Sequence, residues 1–371
     1  MMGRGLRLGT ILGIPIAIHY SWLFIVALLT ASRAVVLGES FPYLGAPARL
    51  SLGLAASVLL FGSVLAHELS HAVVAIRHRV GIRSITLFFF GGAAEMIDEP
   101  STARAELEIA VAGPAMSLAL GLSFGGIHQA AFGTLPPPFV ELMSFLAVSN
   151  LALVVFNLVP GFPLDGGRVL RAALWGIWGS LSPATRVASA VGSFFGGLII
   201  LIGIVWVFNG TLVGILYVFL GLFLRNAAQM SQQQMHLRRA LAGVRVRDLI
   251  SREAAAVPPG MAIAEVVETV VLPSGESEVP VVDQGRLVGM LKISDIRARE
   301  RSMWPFLTAS DLMNRDSVAD AVAPDEEAIK VLARLGAEDR VLPVVEGGEL
   351  VGVVTRRDVL RRLQIRMELF R

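Results

Sequence analysis

The sequence contains no cysteine. Disulfides are therefore excluded, and any metal site has to be built from histidine and carboxylates. Charge is scarce as well. Only 17% of the 371 residues are charged, against about 25% in an ordinary soluble domain. The net charge of +2 is too small to indicate nucleic acid as a partner. The basic start, Met1 to Thr10, is not followed by a short apolar core ending in a small-residue cleavage pattern. The first apolar run therefore reads as a retained helix, not a signal peptide.

The shortage of charge is uneven. Residues 8 to 224 hold most of the apolar runs, whereas residues 236 to 371 have the composition of a soluble segment. This predicts a membrane domain followed by a soluble one. A helical span needs about 20 apolar residues. Six candidates are present: Leu12 to Ala31, Leu50 to Ile76, Leu107 to Phe132, Phe139 to Val159, Val187 to Phe208 and Thr211 to Leu224. The last is short enough to require local thinning of the bilayer or a misplaced boundary. Leu87 to Ala93, an aromatic run with a Gly pair, is too short to span and reads as a strand and turn in protein-covered space. Trp175 and Trp178 read as interface anchors on a short helix. Arg4 and Arg7, then Arg77, Arg79 and Arg83, then Arg168 and Arg171, then Arg225, Arg238 and Arg239 all fall on one side of six crossings. The opposite loops carry only Arg33 and Arg49. The positive-inside rule then puts both termini in the cytoplasm.

Within the second run stands His67-Glu68-Leu69-Ser70-His71. Histidines at i and i+4 share one helix face. That spacing lets two imidazoles grip one Zn²⁺, with the Glu placed to take a proton from water. With six histidines in the chain, a chance match is rare; packing or interfacial histidines are the plain alternative. A catalytic zinc needs a third protein ligand and one open position. Asp165 supplies a candidate, in the turn Asn157-Leu158-Val159-Pro160-Gly161-Phe162-Pro163-Leu164-Asp165-Gly166-Gly167-Arg168. The plain alternative is an N-cap for the helix that follows, and the two roles are compatible. Ala112-Gly113-Pro114 implies close helix approach or a kink. His19 reads as a packing or interfacial residue, with a place near the metal as the alternative.

The soluble part repeats at an offset of 63 residues. Arg247-Asp248-Leu249-Ile250 answers Ser310-Asp311-Leu312-Met313, and Val279-Pro280-Val281-Val282 answers Leu342-Pro343-Val344-Val345. Leu287-Val288-Gly289 answers Leu350-Val351-Gly352, and Asp295 answers Asp358. Each unit reads as helix, strand, turn at Gly285 or Gly348, strand and helix start. Two such units pack as a pair, because neither buries a full core alone.

On these residues, 1 to 228 resemble the site-2 protease family of intramembrane zinc metalloproteases, and 245 to 363 resemble a tandem pair of CBS domains. The matching phrases are the HExxH, Ala112-Gly113-Pro114, the Pro-Leu-Asp-Gly-Gly core, and Gly13-Ile14-Pro15 to His19-Tyr20-Ser21-Trp22. The expected fold is an α-helical polytopic membrane protein of about six spans, with a short membrane-associated β-hairpin and a C-terminal α/β tandem CBS pair. The expected divisions are a protease domain at 1–228, a linker at 229–244 and CBS domains at 245–300 and 301–371.

The resemblance implies that His67, His71 and Asp165 bind one zinc, that Glu68 is the general base, and that substrates are transmembrane helices. It implies an unwound substrate lying as a strand beside Leu87 to Ala93, with Asn157 on its backbone; a polar contact between helices is the alternative for Asn157. CBS pairs elsewhere often take an adenine nucleotide through an Asp with a Ser or Thr three residues before it. Thr355 and Asp358 fit that pattern, while Lys292 before Asp295 does not, so one nucleotide site is expected, with helix capping as the alternative for both Asp residues. Homodimerisation through the CBS pair, a plasma-membrane location and contact with the lipid bilayer complete the expectation. The rival reading is a CBS-regulated transporter or channel.

Overall fold

A computed structural model describes residues 6–89, 91–241, 243–250, 255–335 and 340–369. Arg4 and Phe90 lie outside these residues, and Arg238 and Arg239 are described only as backbone. The chain divides into two compact units, Met1–Gln233 and Gln234–Arg371.

The described residues of the first unit open with two strands, contrary to the expected helical span from Leu12. Leu6–Ile11 forms β1 and Ile14–Ile18 forms β2, paired antiparallel. Leu12 and Gly13 join them with φ of 53° and 79°. Two successive positive φ values match the two-residue turn that suits a twisted hairpin. Ile14, Ile16 and Ile18 are buried, and Pro15 and Ala17 less so. That period of two overrides the apolar run that looked helical. The strand pair joins β3 (Ile82–Phe88) and β4 (Gly91–Met96) in a sheet ordered β1-β2-β3-β4, with β2 parallel to β3. The expected hairpin at Leu87 to Ala93 is thus half of a four-stranded sheet. Ile14, Ile16 and Ile85 pack on Ala72, which lies next to His71 in sequence.

Among the described residues, six helices are long and apolar enough to cross a membrane: α1 (Tyr20–Ser40), α2 (Ala46–Arg77), α3 (Ala103–Ala131), α4 (Pro137–Asn157), α6 (Leu181–Phe208) and α7 (Val213–Leu241), with the shorter α5 (Asp165–Trp178) after α4. The chain is a multi-pass membrane protein. The short sixth candidate is the start of α7, whose apolar part runs to Gln233. Ala, Gln and Met are good helix formers, so the helix outlasts its apolar stretch and continues to Leu241 through most of the expected linker.

Small residues let the helices approach closely. A Cβ on Gly203 would lie 2.7 Å from the Gly214 carbonyl oxygen, and one on Gly214 would lie 2.4 Å from that of Gly203. Polar pairs join other helices. Arg33 bonds Glu141 at 3.0 Å and lies 4.3 Å from the Phe145 ring centroid. Arg33 is thus a paired charge inside α1, not a loop charge. Arg168 and Arg171 are also turned inward, onto the carboxylate of fully buried Glu106 in α3.

In the second unit, β5 (Glu278–Asp283), β6 (Arg286–Lys292), β7 (Val341–Glu346) and β8 (Glu349–Thr355) form a sheet ordered β5-β6-β8-β7. The 63-residue offset reappears in the packing. Val279, Val281, Leu291 and Ile296 are buried in one core, and Leu342, Val344, Val354 and Val359 in another. Both hairpins turn through two positive φ values, at Gln284-Gly285 and at Gly347-Gly348.

Candidate metal centre

Helix α2 places His67 and His71 one turn apart, with ring centroids 4.8 Å from each other. Both are buried, at 5% and 4% exposure. A buried imidazole must satisfy both ring nitrogens. On the far side of each ring a polar atom does so: His71 Nδ1 is 2.6 Å from the Ile109 carbonyl oxygen, and His67 Nδ1 is 2.9 Å from Ser117 Oγ. Those contacts fix ring orientation, and the one to Ile109 makes Nδ1 the protonated nitrogen. The Nε2 lone pair of His71 is then left for a third party, and the Ser117 hydroxyl, able to donate or accept, is compatible with the same arrangement at His67.

Asp165 faces them. Its Oδ2 lies 3.0 Å from His67 Nε2 and 3.2 Å from His71 Nε2, and the two Nε2 atoms are 3.1 Å apart. Metal bonds of about 2.0–2.2 Å at tetrahedral angles set donors about 3.3–3.5 Å apart. The observed triangle is within a few tenths of an ångström of that. Two imidazoles and a carboxylate suit zinc, and the set leaves a fourth direction open. Among the described residues, these three are the group able to hold a metal ion. Asp165 is the first residue of α5, not its cap; Leu164 is the N-cap and makes no side-chain cap bond.

The loop before α5 turns tightly enough to bring Asp165 into place. A Cβ on Gly167 would stand 2.3 Å from the Gly161 carbonyl carbon, and one on Gly166 2.4 Å from that of Leu158. Gly113 has a similar task, one its sequence context did not reveal. A Cβ there would fall 2.2 Å from His71 Nε2 and 2.5 Å from His67 Nε2. The Ala112-Gly113-Pro114 motif is therefore where α3 admits the two rings. Ile109 and Ser117 were also missed, because a carbonyl and a lone serine carry no motif.

Glu68, half-buried, lines a cavity of about 390 Å³ together with His67, His71, Asp165, Asn157 and Arg168. Strand β4 borders it through Gly91 to Ala94, and a Cβ on Gly92 would lie 2.5 Å from Glu68 Cγ. The aromatic floor includes Phe88 and Phe223, with ring centroids 6.4 Å apart. Asn157 ends α4 at the wall of this cavity. His19 stands elsewhere: it caps α1, accepting from the Ser21 N–H at 3.2 Å.

In the second unit, Thr355 and Asp358 bond each other at the start of the helix Arg356–Leu369. The Asp358 carboxylate accepts from the Thr355 N–H at 3.0 Å and from its hydroxyl at 2.6 Å, and Thr355 Oγ1 accepts from the Asp358 N–H at 3.2 Å. This reciprocal pair is a capping box. In the first repeat, Lys292 holds the corresponding position and its ammonium lies 3.3 Å from Glu278.

The model of peptidase family M50 matches residues 55–134 and 126–204, and the CBS domain model matches residues 246–301 and 309–365. A zinc metalloprotease of Methanocaldococcus jannaschii is 31% identical over 365 residues, covering 98% of this chain and 97% of its own. Two chains provisionally named zinc metalloproteases are similar over 98% of this one: that of Synechocystis sp. at 33% identity, covering 96% of its own length, and that of Mycobacterium tuberculosis at 34%, covering 94%. The solved structure of a site-2 protease from M. jannaschii matches at 29% identity and a TM-score of 0.45, over 62% of this chain and 95% of that one.

Gly113→Ala tests the role of the close approach. Alanine is favoured over glycine in a helix by about 1 kcal/mol, so the helix survives while the added methyl displaces both rings. Zinc content of the purified variant, read by mass spectrometry of the metal, is expected to fall at least tenfold. Retention of the parent level would contradict the geometry.

Proposed function

The chain belongs to peptidase family M50, and from that membership we propose that it is an intramembrane zinc metalloprotease that cleaves transmembrane segments of other proteins, with His67, His71 and Asp165 as ligands and Glu68 as general base. One observation carries the reading: three metal-ligating side chains from two helices converge on the cavity that Glu68 lines.

Zinc held there supplies a Lewis acid that polarises a peptide carbonyl and acidifies water. Glu68 takes one proton from the attacking water as its oxygen bonds to the carbonyl carbon. The C–N bond then breaks, and Glu68 passes that proton to the departing amine. A helical substrate hides its backbone in its own hydrogen bonds, so it has to unwind first. Strand β4 is an edge of its sheet, and an edge strand offers unpaired N–H and C=O groups. The unwound segment adds there as a strand, and the Asn157 amide holds its backbone. The walls mix polar groups with Phe88, Phe156 and Phe223, which suits an apolar segment and the water that must reach it. A transporter has no use for a glutamate placed to activate water.

Exposed Arg77 and Arg79 support a cytoplasmic side for the end of α2, and with it cytoplasmic termini in a plasma-membrane protein; Arg83, at the start of β3, is paired with Glu95. Arg168 and Arg171, neutralised by Glu106, add nothing to that argument. The CBS pair regulates activity or assembly. An adenine nucleotide bound at Thr355 and Asp358 would break into their capping box, and a homodimer through the pair is the other role.

Glu68→Gln keeps the ligands and removes the base. Zinc is expected to stay near one per chain, while cleavage of a single-pass membrane substrate falls by about 10²–10⁴-fold. Retained cleavage by that variant would take Glu68 out of the role. For the soluble part, calorimetry of the full chain with ATP, ADP and AMP is expected to show one site per chain, lost in Asp358→Ala. Absence of heat with all three would leave dimerisation as the role.

A further inference from the structure

We infer that Glu106 is a positioning residue for the metal centre, setting through Arg171 and Arg168 where the Asp165 carboxylate stands. This rests on the reading of Asp165 as a metal ligand. Asp165 is the one member of the triad that α2 does not carry, and it begins α5, entered from a loop rich in glycine and proline. Something has to hold that helix in register with α2. Arg168 and Arg171 lie three and six residues after Asp165 on α5, and both reach Glu106. Arg171 donates through Nε at 3.0 Å and through Nη2 to the same oxygen, and Arg168 donates through Nε at 3.4 Å.

Glu106 is fully buried and Arg171 is 8% exposed. The Arg171 guanidinium also lies 5.0 Å from the ring centroid of Phe162, in the loop that leads to Asp165. The anchor is α3, the helix whose Ile109 carbonyl fixes His71, whose Gly113 admits both rings and whose Ser117 meets His67. Glu106, Ile109, Gly113 and Ser117 follow the 3–4–4 spacing of one helix face. One stripe of α3 therefore sets both halves of the site: the imidazoles directly, and the carboxylate through the arginines. An orienting partner beyond the ligands is worth about 10–100-fold in metal affinity.

The experiment follows zinc loss from the purified full chain to an excess of chelator. Glu106→Gln keeps an oxygen acceptor but loses the charge, and it is expected to release zinc about 10–100-fold faster than the parent. The double variant Glu106→Leu with Arg171→Met replaces the buried pair by apolar groups, which tends to preserve folding. It is expected to melt near the parent temperature and still release zinc at least tenfold faster. Leu170→Ala trims α5 where it packs against the Phe162, Ala188 and Ala228 cluster; it is expected to lower the melting temperature without hastening release. Release within twofold of the parent in both Glu106 variants overturns the inference, as does equal acceleration in Leu170→Ala. A parent chain that takes up no zinc would instead remove the reading of the triad itself.

Discussion

The fold is arranged around one costly meeting: two imidazoles and a carboxylate brought within about 3 Å of one another inside an apolar bundle. Each would otherwise be solvated, and burying a polar group unpaired costs about 1–3 kcal/mol, more for a charge. The surroundings offset part of this by supplying a partner for each ring nitrogen turned away from the centre. Ile109 and Ser117 take the outer ring nitrogens. The tightly folded loop and the Glu106 pairing hold α5 so that the carboxylate arrives from the opposite side. Breaking a buried ion pair by removing one partner costs about 3–5 kcal/mol, so that contact is a strong constraint even if its net contribution to stability is small.

The same constraint relates the small β-sheet to the site. Ile14, Ile16 and Ile85 pack on Ala72 of α2, and β4 runs beside Glu68 with Gly92 at the point of contact. A sheet edge and Glu68 thus share one wall of a cavity whose other walls mix polar side chains with apolar ones. Peptide hydrolysis within a membrane requires that combination: water, a base and an extended backbone in the same place.

Much of this was legible in the residues. The HExxH spacing needs only the helical repeat, and Asp165 stands out because a carboxylate in a Pro-Gly turn beside an apolar span calls for a reason. The 63-residue repeat was readable down to individual core positions, since Val279 and Leu342, or Ile296 and Val359, fill equivalent places. What escaped reading was tertiary. Leu12 to Ile18 reads in sequence as the start of a span, and only the two-residue turn at Leu12-Gly13, with Leu12 at a φ that leucine seldom adopts, makes the segment a hairpin. Gly113 was visible as a packing glycine, but that it faces two imidazoles follows from the crossing of α2 and α3. Arg168 and Arg171 read in sequence as a positive cluster after the fourth span, because their partner, Glu106, lies some 60 residues earlier and carries no motif.

X-ray absorption at the zinc edge of the purified, zinc-loaded chain tests the central claim most directly. The account predicts one zinc per chain, with two imidazoles and oxygen donors at about 2.0–2.2 Å and the scattering of one imidazole lost in His71→Ala. A spectrum without imidazole scattering, or one unchanged by that substitution, would contradict it.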